Sequence, residues 1–267
     1  MENSSLIEQL EQQYRLGLHK IDLLRDIIGR VYLLQNDKTR YVFKQYRSHN
    51  TADALRTVGI LDYLKFHSYP AVSVVRTAKG ESHITLSCPS GDCIGILFDH
   101  VEGETPDGIE EAENIGTQTG VLHTVMGGYP GPLANRGKTV YIGDYIEIMG
   151  EIGFDPSKIA VLQQYGDELW ERIERLPKGF CHGDLHTGNM LRNRRGEYVL
   201  FDFDDASADY PGMDVAYMSD DTHFNQFHDS MYDRTTRQFE RFYHGYGKVR
   251  SLDQRECQAI YDFIAIR

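Results

Sequence analysis

Apolar residues recur along the chain with two different periods, and the switches between them mark its elements. Leu6, Ile7 and Leu10 share one face of a first helix, with Ser4 or Ser5 as its predicted cap and Glu8 as the capping-box partner of Ser5. From His19 the pattern becomes that of strands. IIGRVYLLQ, the polar NDKT and RYVFKQYR read as a hairpin rich in β-branched and aromatic residues. Leu55, Val58, Leu61 and Lys65 then repeat at helical spacing between Thr51 and His67, and Pro70 stops that helix. SVVRTA, HITLS and IGILFDHV follow as strands, separated by KGE and PSGDC.

After Glu102-Gly103-Glu104 the pattern turns helical. Ile109, Ile115, Val121, Leu122 and Val125 place a helix over 108–126, and GGYPGPLANRGK breaks it. Helices are expected over 141–150 and 157–175. Two short strands, at GFCHG and EYVLFDF, flank a loop before the chain returns to helix. The pattern predicts an α+β chain in two parts: residues 1–101, mostly a small antiparallel sheet with one helix inserted, and residues 102–267, mainly helical. The last run, AIYDFIAIR, is apolar-periodic and uncapped, so the natural chain is expected to continue past residue 267.

Composition narrows the class. The 267 residues are 40% hydrophobic and 25% charged, which suits a packed soluble protein rather than a disordered one. No stretch approaches the roughly 18 apolar residues of a membrane span. The acidic N-terminus resembles neither a secretion signal nor a transit peptide. Cys88, Cys93, Cys181 and Cys257 follow no disulfide or zinc spacing, so a cytoplasmic location with reduced thiols is expected. The net charge of −12 is uneven: residues 1–100 carry +1 and the remainder −13. Such a chain would repel nucleic-acid phosphates, and its later part suits a cationic partner or a solvated acidic surface.

The most informative stretch is Cys181-His182-Gly183-Asp184-Leu185-His186-Thr187-Gly188-Asn189, followed by Leu200-Phe201-Asp202-Phe203-Asp204. An Asp is followed five residues later by an Asn, and a second Asp closes a hydrophobic strand. Phosphoryl transfer needs an acceptor hydroxyl held in line, a group for its proton, and cations on the phosphates. Asp184 is the candidate base. Asn189 and Asp202 offer hard oxygen ligands suited to Mg²⁺. Upstream, Tyr41-Val42-Phe43-Lys44 is a strand ending in a lysine able to grip phosphates, and ILFDHVEGE is a strand running into an acidic linker. Lysine, linker, loop and aspartate stand in the order found in kinases. Two rival readings fail on the same residues. A metallophosphoesterase needs further ligands from separate strand ends, and a zinc helix through His182 and His186 is broken by Gly183 and Gly188.

HGDLHTGNML…LFDFDDASADYPGMDVA resembles the aminoglycoside phosphotransferase-like family of small-molecule kinases, and the similarity runs from about residue 14 to 267. The resemblance implies a two-lobed protein-kinase-like fold, ATP or GTP, Mg²⁺, and transfer of phosphate to a hydroxyl of a small molecule. It implies Asp184 as base, Asn189 and Asp202 as metal ligands, Lys44 on the phosphates, and Gly29 in the phosphate-covering loop. Phe98, Asp99 and Val101 would border the adenine through the linker backbone, and Asp214 would brace the catalytic loop. Asp204, Asp205 and Asp209 could face a cationic acceptor such as an aminoglycoside, with antibiotic resistance as the implied context, or Asp204 could assist the metal. Homoserine, choline or methylthioribose types of acceptor stay open, as does a catalytically silent kinase fold that only binds a ligand. Two features depart from the protein-kinase pattern. Gly29 is the lone glycine of its loop, and no glutamate follows Lys44 on the next helix. Thr57 or Gly59 occupies that region, leaving Asp62 as partner for Lys44 or leaving the pair absent.

Overall fold

The computed structural model describes residues 2–88, 91–222 and 228–266. Helix α1 (Glu2–Tyr14) starts earlier than its expected cap, so Ser5 lies inside the helix; the Ser4 side chain is outside the described residues. The sheet runs through β1 (Lys20–Asp26), β2 (Arg30–Gln35) and β3 (Arg40–Gln45). After α2 (Thr51–Phe66) come β4 (Val74–Val75), β5 (Ile84–Cys88) and β6 (Gly91–Asp99). Every pairing is antiparallel, in the order β1-β2-β3-β6-β4, with β5 also on β6. The β2–β3 turn is held by Asn36, whose Oδ1 accepts from the Lys38 and Thr39 amides at 2.9 and 2.7 Å. In β6, Cys93 to Phe98 are all buried, as in a strand covered on both faces. β2 alternates instead, with Tyr32 and Leu34 turned inward onto a cluster with Leu10, Phe43 and Leu97. Two expectations change. β1 was not evident because its residues are mostly exposed, and SVVRTA pairs only over Val74–Val75.

The chain continues with α3 (Ala112–Met126), β7 (Ala134–Asn135), a wide helical turn at Thr139–Gly143, α4 (Asp144–Glu151) and α5 (Pro156–Ile173). Asp155 caps α5 by accepting from the Ser157 amide at 2.9 Å, and Pro156 opens the helix. After β8 (Gly179–Cys181) come β9 (Met190–Arg192), β10 (Tyr198–Leu200) and β11 (Ser207–Asp209). Helices α6 (Pro211–Ser219), α7 (Met231–Tyr246), α8 (Gln254–Gln258) and α9 (Ile260–Ile266) complete the described chain. All nine residues of α6 are buried. Helices α3 and α7 approach through glycines: a Cβ on Gly116 would lie 2.0 Å from the Phe242 carbonyl oxygen. β11 pairs antiparallel with β8 and parallel with β7.

The chain divides into two compact units, 1–104 with 190–204, and 105–189 with 205–267. This differs from a single cut at 101. The β9–β10 hairpin returns to the first unit because Glu104 and Arg192 exchange backbone hydrogen bonds at 3.1 and 2.8 Å. Leu200 is likewise bonded to Pro70 and Val72. No helix among the described residues is long and apolar enough to cross a membrane.

Candidate active site

Within the first unit, Lys44 lies near the end of β3, paired across to Val31 on β2 and Ile96 on β6. Its Nζ is 2.7 Å from Asp202 Oδ1 and 2.6 Å from Asp204 Oδ2. Burial works against the ammonium, but Asp204 and then Asp202 outweigh it and hold the Lys44 pKa above its usual value. Asp204 Oδ1 accepts from the hydroxyls of Tyr46 and Thr57, each at 3.1 Å. Tyr46 stands two residues from Lys44 on the chain, and its ring lies 5.2 Å below the ammonium. Burial, then the two carboxylates, pushes its phenol well up. Asp202 adopts a left-handed backbone, φ 61°, uncommon for a side chain at a plain strand end.

This network answers the missing glutamate and decides between the two readings of Asp62. Asp62 is exposed and pairs with Arg76, so it does not hold Lys44. The carboxylate that does is Asp204, which Thr57 helps to orient from α2. Asp204 is therefore engaged rather than directed at an acceptor. Tyr46 was missed in the sequence, and Thr57 was placed there without a role; the signals were an aromatic two residues past Lys44 and a polar residue inside a buried helix stripe.

The expected nucleotide-contacting residues are placed as follows. Gly29 lies in the β1–β2 turn, where a Cβ would come within 2.6 Å of the Gln45 carbonyl oxygen, so the close strand crossing itself requires glycine. Phe98 is buried and registered between Val42 and Val74. Asp99 closes β6, its amide bonded to Ser73 O at 3.0 Å, and burial raises its pKa. Among the described residues the main chain of Val101 makes no backbone hydrogen bond, which leaves its polar groups available.

Within the second unit, the loop after β8 is held from behind. Asp214, fully buried on α6, accepts from the amides of His182 at 2.6 Å and Gly183 at 3.0 Å. His123 Nε2 lies 3.0 Å from the same carboxylate, and His123 Nδ1 lies 2.9 Å from the Tyr246 hydroxyl. Burial opposes the charge on Asp214, yet His123 and His182 hold its pKa below the usual value. Gly183 has φ 81°, and a Cβ there would come within 2.2 Å of Asp205 O. Only glycine fits that turn.

Asp184 follows with its side chain 38% exposed. Asn189 Nδ2 donates to both the main-chain oxygen and Oδ2 of Asp184, each at 2.9 Å. His186 Nε2 is 3.5 Å from the same Oδ2. His186, with Asn189 behind it, depresses the Asp184 pKa against the opposing effect of burial. Asp205 pairs with Arg136. Asp209 is 1% exposed and accepts from the Tyr141 hydroxyl. Burial pushes its pKa up, and so buried a carboxylate does not face a soluble acceptor, contrary to expectation.

Among the described residues no three His, Cys, Asp or Glu side chains form a metal cage. Mg²⁺ is commonly held by one or two protein oxygens together with substrate phosphates and water. The donors are of the right kind. Asp202 is anionic, and the two bonds from Asn189 Nδ2 fix its amide so that Oδ1 is the atom left for a hard cation.

The chain is similar to several known proteins. An uncharacterised protein of Deinococcus radiodurans is 24% identical over 225 residues, 80% of this chain. The chain spans 65% of the length of that relative. Among solved structures, the amicoumacin kinase hAmiN, in complex with AMP-PNP, Ca²⁺ and Ami, superposes with a TM-score of 0.83 at 20% identity. The match covers 100% of this chain and 84% of that one. The microcompartment-associated aminopropanol kinase gives 0.77 at 18% identity, over 99% of this chain and 86% of that one. The likenesses show the small-molecule-kinase fold. The phosphotransferase enzyme family (APH) matches residues 22–252, and with the fold in agreement the chain belongs to that family.

Proposed function

We propose that the protein transfers the γ-phosphoryl group of ATP to a hydroxyl of a small molecule. The observation that carries this reading is Asp184, half-exposed, oriented by two bonds from Asn189 and braced through Asp214. The acceptor oxygen bonds to the γ-phosphorus as the bond to the departing ADP breaks, and the hydroxyl proton passes to Asp184. A carboxylate held below its usual pKa is a weak base, so it orients the hydroxyl first and takes the proton late, as a loose transition state requires. Lys44, anchored by Asp204, neutralises the α- and β-phosphates. Asp202 and Asn189 are the residues that would hold Mg²⁺, which when bound supplies charge neutralisation on the phosphates. The AMP-PNP and Ca²⁺ of the amicoumacin kinase support an adenine nucleotide with a divalent cation.

A cationic, aminoglycoside-like acceptor was expected from Asp204, Asp205 and Asp209. Those carboxylates are taken by Lys44, by Arg136 and by burial under Tyr141, which removes that support. The test is ADP release with Mg-ATP over a panel of alcohols, amino alcohols and sugars. Asp184→Asn should lower turnover by about 10²–10⁴ while leaving nucleotide affinity intact. Near-normal turnover in the folded variant would defeat the assignment.

A further inference from the structure

A cavity of about 570 Å³ opens in the second unit, and His186 and Thr187 of the catalytic loop form part of its wall. Helix α7 contributes to the same wall. Its buried stripe runs through Met231, Thr235, Gln238, Phe242 and Gly245. Arg234, Arg237 and Arg241 recur at i, i+3 and i+7, which sets the three guanidiniums along one edge of that stripe. All three line the cavity.

Three arginines face three carboxylates, Asp220, Asp221 and Glu240, in the lining, but the pairing among them is uneven. Arg234 is spent on Asp221. Asp220 is turned onto its own loop, accepting from the Thr222 amide at 2.8 Å. Glu240 lies roughly 60° around the helix from Arg237, on the side away from the core, so it stands at the rim. Among the described residues Arg237 and Arg241 have no carboxylate partner. Their recorded bonds are to main-chain oxygens, Arg237 Nε to Asp233 and Arg241 NH1 to Ile109, each at 3.2 Å. Two guanidiniums one turn apart, each with donors to spare, suit a carboxylate or phosphate bound through paired hydrogen bonds. His186 Nε2, 3.5 Å from Asp184 Oδ2, links the same cavity to the proposed base within one unit.

We infer that the acceptor carries, besides its hydroxyl, a compact oxyanion held by Arg237 and Arg241. The inference rests on the phosphotransfer reading only for the word acceptor; the anion site stands on the cavity itself. An acceptor of this kind is a hydroxy acid or a hydroxyl-bearing phosphate ester, opposite in charge to an aminoglycoside.

The test is calorimetric binding to the full chain without nucleotide, using four probes: 4-hydroxybutanoate, glycerol 3-phosphate, 4-aminobutan-1-ol and butane-1,4-diol. One or both anions should bind at least about tenfold more tightly than the cation and the neutral diol. Whichever anion binds better tells carboxylate from phosphate. The double variant Arg237→Gln/Arg241→Gln should lose that preference while keeping its affinity for AMP-PNP, and the double lysine variant should regain part of it. Equal binding of all four probes, preference for the amine, no measurable binding of either anion at millimolar concentration, or an unchanged preference in the glutamine variant would each overturn the inference. If the glutamine variant fails to fold, the lysine variant and the four-probe comparison on the native chain decide. A chain that phosphorylates only amino alcohols refutes the anion site and leaves phosphotransfer standing; one that binds the anions without transfer does the reverse.

Discussion

Replacing Asp204 by Asn tests the structure where it departs furthest from the expected pattern. The substitution keeps the Oδ1 acceptor for Tyr46 and Thr57 but turns an amide toward the Lys44 ammonium, with which Asp204 Oδ2 is paired at 2.6 Å. The two side chains are only 18% and 23% exposed, so solvent screens the pair weakly. At an effective dielectric of about 20 the gross attraction is about 6 kcal/mol. Desolvation offsets most of that, and Asp202 still accompanies Lys44, so the net loss should be about 1.5–3 kcal/mol, the usual worth of a hydrogen bond to a charged group. Urea denaturation at neutral pH reads this directly. In a Lys44→Met background the same substitution should cost less than about 0.5 kcal/mol, giving a coupling of about 1–3 kcal/mol. The Lys44 pKa is raised in the folded state. Its contribution is therefore fully present below the unfolded lysine value of about 10.4 and is lost as pH climbs through the folded one. The gap between wild type and Asp204→Asn should stay constant through neutrality and shrink only in strong alkali. Equal costs in both backgrounds, or a single variant as stable as wild type, would refute the claim that Asp204 anchors the lysine.

Removing His186 by His186→Ala should let the Asp184 pKa rise toward the ordinary carboxylate value, because the histidine is the largest depressing influence. The acid limb of the kcat/KM profile should move to higher pH, and an unmoved limb would assign it to another group. Asp214→Asn replaces one acceptor oxygen by an amide among three buried donors and should cost at least about 1–3 kcal/mol in denaturation. Turnover should fall with it as the loop loses its brace. Asp209→Asn should leave kinetics unchanged. The Asp209 pKa is raised by burial, so its charge penalises the fold increasingly as pH rises through the unfolded value of about 3.9. The Asn variant should thus equal or exceed wild-type stability at pH 7, and a lowered melting temperature there would contradict this.

Much of the proposed chemistry can be read from residues that are local in sequence. Asp184 and Asn189 are five residues apart, Asp202 ends a hydrophobic run, and Lys44 lies near the end of a strand rich in aromatic and β-branched residues. A catalytic loop has to be short to hold a proton acceptor in place, so its residues remain adjacent on the chain. The β2–β3 hairpin and the extent of α2 were equally readable, although Leu55 of the expected α2 stripe is exposed while Ala54 and Ile60 are buried. β1 was not, since an exposed edge strand shows no alternation. What holds the site came only from tertiary structure. Lys44 finds Asp204 across 160 residues, while Asp62, the candidate acid on the following helix, belongs to Arg76. Asp214 reaches the loop from a buried helix, and His123 joins it from α3. The acidic run after Asp202 suggested a cationic acceptor because charge was counted along the chain. Folding spends those carboxylates on Lys44, Arg136 and Tyr141, and sets two arginines of α7 beside the catalytic loop. Sequence gives the number and order of charges, whereas which of them meet a ligand depends on which are already paired, and pairing is a property of distances that only the fold supplies.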